Sequence, residues 1–117
     1  NLKNDLSEVK IYNYATQQME GCGLTFCGLF MGDYSKAGIS TMFNTGTVVG
    51  SVVNVFGSGF QAKHVPSFTW GGQAEEYTPY RLEKAIEVIR KTQAQKNINF
   101  TMEDERIIRK IHQITTT

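Results

Sequence analysis

Apolar and small residues recur at every sixth position between Met31 and Phe60. The first position of each six-residue unit is apolar and is held by Met31, Ala37, Phe43, Val49 and Val55. The second position is held by Gly32, Gly38, Asn44 and Gly50, with Phe56 as the exception. A period of six fits neither the 3.6-residue helix nor the two-residue alternation of a strand.

The six-residue period predicts a short strand followed by a two-residue corner. Glycine or asparagine at the second position would supply positive φ at the corner. The apolar first residue would point inward and stack on its equivalent in the next coil. This pattern is typical of a hexapeptide parallel β-helix. An ordinary antiparallel sheet with Gly-rich turns stays open as the alternative.

The repeat is too short to bury a continuous core by itself. Three units make one coil, so the stretch from Met31 to Phe60 supplies fewer than two coils, whereas stacked repeats need neighbours. We therefore expect earlier coils upstream of Asn1 or association between chains. The first residue is Asn, which leads us to expect a segment of a longer protein.

The flanks of the repeat lack its period. Val9 and Ile11 alternate with polar residues, as in a strand of an earlier coil, and residues 12–20 resemble a loop that protrudes from a corner. The sequence thus predicts β-helix coils over 1–60, a crossing loop over 61–77, and two C-terminal helices over 78–117.

Both C-terminal helices are predicted from start signals and apolar spacing. Thr78 and Pro79 suit an N-cap and first helical position, and an apolar stripe follows at Leu82, Ala85, Ile86 and Ile89, ending near Asn97. Thr101 and Asp104 approximate a capping box. The second stripe consists of Ile107, Ile108 and Ile111, with Ile114 continuing it. These stripes predict packing faces.

Composition and charge limit the classes of protein to which this chain could belong. The 117 residues fit one domain at most. The 12 basic and 11 acidic residues leave a net charge of +1, which indicates neither a nucleic-acid footprint nor an acidic substrate channel. No apolar run could span a membrane, and no signal peptide opens the chain. Cys22 and Cys27 are expected to be reduced thiols of a cytoplasmic protein. His64 and His112 lie outside the repeat, so the sequence predicts no catalytic residue and no metal site.

Two strings carry a family resemblance. "GLTFCGLFMGDYSKAGISTMFNTGTVVG" (23–50) and "PSFTWGG" (66–72) resemble the C-terminal part of bacterial sugar-1-phosphate nucleotidyltransferases. These in turn resemble the bifunctional N-acetylglucosamine-1-phosphate uridyltransferase/glucosamine-1-phosphate acetyltransferase enzymes. The likeness covers essentially the whole chain.

The resemblance implies a mainly β fold, namely a single-stranded left-handed parallel β-helix with C-terminal helices. It also implies a homotrimer, with sites for acetyl-CoA between neighbouring subunits. In this family the nucleotidyl-transfer domain and the histidine base of acetyl transfer lie upstream of the position that corresponds to Asn1. The chain from Asn1 to Thr117 is therefore not expected to catalyse a reaction alone.

The family's donor contacts carry over position by position. They correspond to Asn1 and Leu2, to Ile39 and Ser40, and to Phe56 and Gly57, although ordinary corner residues are the alternative. The close group commonly has His where this chain has Tyr34, so any role of that imidazole is lost. Asp33 and Lys36 beside it could contact a phosphate or pair with each other.

Two functions follow. The first is a transferase segment, acyltransferase-like, that acts in nucleotide-sugar synthesis and mediates trimerisation. The alternative is a non-enzymatic trimeric scaffold without acyl-donor binding. A free-standing acyltransferase is a weaker third option, because it needs a general base within reach of the acceptor.

Overall fold

Short parallel strands form the centre of the molecule. The computed structural model describes residues 8–24 and 26–116. One sheet has the order β3 (Phe30–Met31), β5 (Val48–Val49) and β7 (His64–Val65), and both of its pairs are parallel. Phe30 lies opposite Val48, which in turn lies opposite His64. Residues separated by 16 or 18 positions therefore become neighbours.

A second sheet runs through the same part of the chain. Its order is β4 (Lys36–Ala37), β6 (Asn54–Val55), β8 (Thr69–Gly72) and β9 (Glu76–Pro79). The first two pairs are parallel, and β8 and β9 form an antiparallel pair. A single parallel bridge between Met42 and Phe60 adds a third line of contact.

A valine cluster fills the space between the strands. Val49, Val53, Val55 and Val65 are buried there, and Phe43, Ala62 and Tyr77 pack against them. Since side chains alternate along a strand, Val48 and His64 face the other side of their sheet. The core of this region is thus built from small β-branched residues.

In the first four units the chain turns at the fourth position, where the backbone is left-handed. Tyr34, Ser40, Gly46 and Val52 have φ of 61°, 61°, 76° and 56°. The prediction that the second-position glycines supply positive φ is wrong, because Gly32, Gly38 and Gly50 are absent from the left-handed residues.

Those glycines instead permit close stacking. A Cβ added to Gly50 would lie 2.5 Å from the backbone nitrogen of Ser67, and one added to Gly32 would lie 2.8 Å from the carbonyl carbon of Gly50. Both distances are too short for a real side chain. Successive strands therefore approach closely only because these positions lack a Cβ.

The N-terminal part of the described chain is a hairpin. β1 (Lys10–Asn13) and β2 (Gln18–Gly21) pair antiparallel, with Tyr12 opposite Met19. The predicted coil strand around Val9 and Ile11 and the predicted loop over 12–20 are therefore both corrected. In the described chain its two strands pair only with each other, so the hairpin forms a sheet separate from the two parallel ones.

Two helices follow, as predicted. α1 (Leu82–Gln95) begins after Arg81, so the predicted start at Thr78 and Pro79 is wrong, since both residues lie in β9. α2 (Met102–Thr115) begins at the predicted capping box, in which Thr101 and Asp104 exchange both hydrogen bonds. In the described part of the chain, neither helix is long and apolar enough to cross a membrane.

The helices pack against one corner of the strands. Val52 and Phe68 are buried with Ile86, Ile89 and Ile108, and Tyr34 packs at the edge of this cluster. Val52, Phe68 and Tyr34 all have positive φ. The left-handed corner thus presents one side chain per level to the helical pair.

The predicted fold class is wrong. Over residues 8–24 and 26–116 the chain is mixed α/β, with short strands in three small sheets and two fourteen-residue helices, and it is not a left-handed parallel β-helix. Antiparallel pairs occur at both ends, and the predicted crossing loop over 61–77 contains β7 and β8. The six-residue repeat matches the interval between successive left-handed turns. It does not encode the hairpin, the return strand β9 or the helices.

Candidate functional site

A cleft of about 350 Å³ lies between the corner after β3 and the C-terminal half of α1. It is lined by Asp33, Tyr34, Ser35, Lys36, Ile89, Thr92, Gln93 and Lys96. The left-handed turn at Tyr34 places four consecutive residues on one wall. Ile89, Thr92, Gln93 and Lys96 share one face of α1 because they are three or four positions apart.

Lysines approach the cleft from both walls. The Nζ of Lys36 donates to Oγ1 of Thr92 (2.6 Å), and this hydroxyl donates to the carbonyl of Val88 (2.9 Å). Lys96 is the C-cap of α1. Among the described lining residues Asp33 is the single carboxylate, so their charged side chains sum to one positive charge.

Tyr34 contributes a hydroxyl that stays protonated near neutral pH. Burial raises its pKa, and the carboxylates of Asp104 and Asp33 raise it further. Ser35 has a structural role, because its Oγ donates to the carbonyl of Gly50 (2.6 Å) and accepts from the N–H of Val53 (3.1 Å). The phenol of Tyr34 is therefore the better donor for a ligand.

This set of groups suits the binding of an oxyanion. Two ammonium groups, a phenol and the amide of Gln93 can all donate to anionic oxygens. None of the eight lining residues is a histidine or a cysteine. The cleft can bind and orient a ligand, and the hydroxyls of Ser35 and Thr92 are both engaged with backbone carbonyls.

The structure brings the predicted polar residues together. Asp33, Tyr34 and Lys36 all line the cleft. Sequence reasoning missed Thr92, Gln93 and Lys96, which come from a helix almost 60 positions later. Their polar spacing along α1 was visible, but only the packing of α1 on the corner shows that they face Lys36.

The predicted acyl-donor residues lie elsewhere. Gly38 and Phe56 are neighbours, since a Cβ on Gly38 would lie 3.1 Å from that of Phe56. Ile39 and Ser40 come directly after Gly38, and Gly57 comes directly after Phe56, so the two predicted pairs leave adjacent strands at the same end. Ile39 is 99% exposed, and Gly57 lies against the carboxylate of Glu75. Asn1 and Leu2 lie outside the described residues.

A second cluster joins the hairpin to the first sheet. The rings of Tyr12 and His64 stack with centroids 3.7 Å apart, and Oη of Tyr14 lies 3.0 Å from Nε2 of His64. Burial lowers the pKa of His64, and burial together with Tyr12 raises the pKa of Tyr14. A neutral imidazole beside a protonated phenol is therefore the favoured state. His112 instead packs edge-on against Phe68 (4.8 Å).

Neither a metal-binding cluster nor a similar protein adds information about this site. Over residues 8–24 and 26–116, no group of three or more His, Cys, Asp or Glu side chains is placed to hold a metal ion. Comparison with known protein families, curated proteins and solved structures gives no match to this chain.

Proposed function

We propose that this chain is part of a sugar-1-phosphate nucleotidyltransferase-like protein of nucleotide-sugar synthesis and binds the phosphate of a sugar phosphate in the cleft. The observation that carries the proposal is the convergence of Lys36 and Lys96 on one cleft from opposite walls. Lysine ammonium groups are common ligands of phosphate oxygens.

Sugar and phosphate would contact different parts of the lining. Lys36 and Lys96 face the phosphate, while Asp33 and Gln93 can accept hydrogen bonds from sugar hydroxyls. Tyr34 donates its protonated hydroxyl to either part. The volume of about 350 Å³ falls within the usual range for small-molecule sites.

The C-terminal end of α1 repels an anion, but the attraction by the two lysines is larger. The carbonyl end of a helix carries roughly half a negative charge, which offsets about a quarter of the charge on two ammonium groups. Asp33 offsets a further charge. The remaining positive charge is small, so a single phosphate suits the cleft better than a polyphosphate.

We do not propose that this segment catalyses a reaction alone. Binding of acetyl-CoA is a separate proposal and concerns a different part of the surface. The adjacency of Ile39 and Ser40 to Phe56 and Gly57 supports a donor site there, whereas the carboxylate of Glu75 would repel the phosphates of the coenzyme. A cytoplasmic location is also proposed. The free thiols of Cys22 and Cys27 suit such a reducing compartment.

Calorimetric titration with glucose 1-phosphate tests the cleft. We expect binding that glucose alone does not show. Lys36→Gln and Lys96→Gln should each weaken binding by about tenfold, because each removes a charge-assisted hydrogen bond. Lys84→Gln on the exposed side of α1 is the matched control and should leave affinity unchanged. Equal affinity for glucose, or no binding at millimolar ligand, would reject the proposal.

Self-association is the second candidate function, and an exposed apolar edge favours it. Leu29, Phe30 and Met31 are exposed at β3, which is an edge strand among the described residues, and Leu24 and Phe26, a few positions earlier in the chain, are exposed as well. Exposed apolar surface of this kind marks interaction sites. The proposed homotrimer predicts three times the chain mass in sedimentation equilibrium, and a single-chain mass at micromolar concentration would exclude it.

A further inference from the structure

The outer face of the first sheet carries a row of three side chains, of which the middle one, Val48, is only 8% exposed. Phe30, Val48 and His64 lie opposite one another in register, while the next level, Val49 and Val65, is buried inside. Tyr12 covers His64, but Phe30 stays 48% exposed. The hairpin thus covers one end of the row and leaves the other end open.

A groove of about 520 Å³ lies along the open part of this face. Tyr14 and Phe30 contribute aromatic rings to it, Gly32 and Gly50 contribute bare backbone, and Ser51 and Ser67 contribute hydroxyls. The described residues that line this groove carry no charge. It therefore differs in chemistry from the cleft at Lys36.

Tyr14 is held in place although half of it is exposed. Its hydroxyl bonds Nε2 of His64 at 3.0 Å, and its ring makes edge contacts with Tyr12 (5.0 Å) and His64 (5.2 Å). An exposed side chain normally loses rotational freedom when it binds a ligand. Here the loss has already occurred on folding, so the ring is preorganised for stacking.

We propose that this groove binds a neutral pyranose ring of a saccharide. The apolar face of the sugar would stack on the ring of Tyr14 through dispersion contacts. Its hydroxyls, which both donate and accept, match the hydroxyls of Ser51 and Ser67. Ser67 Oγ already accepts the N–H of Ser51 (3.0 Å), which leaves the proton of this hydroxyl to be donated.

The absence of charge in the described lining selects against other ligands. A phosphorylated or carboxylated ligand would lose hydration without gaining a cation. A nucleoside could stack on Tyr14 as well, but its flat polar base edge needs several hydrogen bonds in one plane. The described lining offers two serine hydroxyls and no side-chain amide, which suits sugar hydroxyls better. The inference is independent of phosphate binding at the cleft.

Backbone amide shifts in NMR titrations with methyl glucopyranoside and cellobiose test the groove. We expect shifts at residues 30, 50 and 51, with cellobiose the tighter ligand. Tyr14→Ala should weaken binding by about tenfold, as expected for the loss of a stacking ring. Tyr14→Phe keeps the ring but loses the bond to His64, so its affinity should be intermediate.

The controls separate binding from folding. Phe26→Ala removes an exposed ring that does not line the groove and should leave binding unchanged. Ser51→Ala should weaken binding even if Tyr14→Ala unfolds the hairpin. The proposal is overturned if the sugars cause no shifts, if adenosine binds more tightly, if Tyr14→Ala and Ser51→Ala bind as the wild type does, or if self-association covers Phe30 and blocks binding.

Discussion

The two sides of the parallel strands differ in what covers them. On the side of the helices, Val52 and Phe68 are buried, with Phe68 only 3% exposed. On the edge at β3, Leu29, Phe30 and Met31 are exposed. Both sides belong to the same stretch of strands and corners. The difference shows that burial here depends on which other element packs against a position.

The helical pair also has stabilising contacts of its own. Arg109 of α2 donates to both carboxylate oxygens of Glu83 in α1 (2.6 and 3.0 Å) and to Glu105 (3.0 Å), which raises the pKa of this guanidinium. Arg90 pairs with Glu105 as well. These exposed pairs contribute little each, so the apolar contact with the corner accounts for most of the stability of the pair.

The largest expected effect comes from truncating a ring on the covered side. Phe68→Ala should lower the free energy of unfolding by about 3–5 kcal/mol, because it removes a buried ring and leaves a cavity. Phe30→Ala should lower it by less than about 1 kcal/mol, since half of that ring is already in water. Urea denaturation followed by circular dichroism measures both values.

Equal losses for the two variants would contradict the contrast between the sides. If the edge at β3 is an interface between copies, the loss of unfolding free energy for Phe30→Ala will grow with protein concentration. The loss for Phe68→Ala will not depend on concentration in this way. Repeating the denaturation over a hundredfold range of concentration distinguishes these cases.

Close stacking of the strands predicts the next largest effect. Gly50→Ala should destabilise the protein by about 1–3 kcal/mol, because its Cβ would collide with the backbone of Ser67. Gly28→Ala is the matched control, since no described residue lies within 4 Å of that Cβ and its φ is not positive. A harmless Gly50→Ala would show that the strands lie farther apart in solution than in the structure.

The capping box predicts a smaller and local effect. Thr101→Ala should remove about 1 kcal/mol of stability, because the N–H of Asp104 loses its acceptor. Thr115→Ala, at the other end of α2, serves as control and should change stability by less than about 0.5 kcal/mol. If both substitutions act alike, the box is not formed in solution.

The smallest effect concerns the attachment of the hairpin. Because burial lowers the pKa of His64, its contribution to stability is complete above the unfolded value of about 6.5 and is lost as the pH falls through the folded value. Denaturation between pH 5 and pH 8 should therefore show a loss at the acid end that His64→Gln lacks. An identical pH profile for this variant would contradict a neutral, bonded imidazole.

Local signals in the sequence predicted the helices well. Thr101 and Asp104 form the expected box, and Ala85, Ile86 and Ile89 of the first stripe are buried. The second stripe packs only in part, because Ile108 is buried whereas Ile107 and Ile114 are exposed. The start of α1 was missed because Thr78 and Pro79 are suited to a helix N-terminus in isolation, yet pairing with Trp70 and Thr69 keeps both in β9. A local preference was overridden by a tertiary contact.

The strand region was predicted only in part. Its six-residue period matches the interval between left-handed turns, but not their position in the unit. The positive φ falls on residues such as Tyr34 and Val52, which intrinsic preference disfavours, and not on the second-position glycines. The antiparallel pairs at both ends have no counterpart in the repeat. The predicted left-handed β-helix extended one local pattern to the whole fold.

The candidate site was likewise predictable only where its residues are adjacent in the sequence. Asp33, Tyr34 and Lys36 could be singled out because they are adjacent in the sequence. The opposite wall, with Thr92 and Lys96, could not be assigned, since its position depends on the docking of α1 at the corner. A site shared by two distant elements becomes visible only when their packing is known.

Backbone amide shifts on titration with glucose 1-phosphate are the most direct test of the cleft. The account predicts that amides of residues 33–36 and of residues 92–96 shift together with one dissociation constant, and that Lys36→Gln diminishes both sets. Shifts confined to one wall, or located away from the cleft, would contradict a phosphate site formed by the corner and α1.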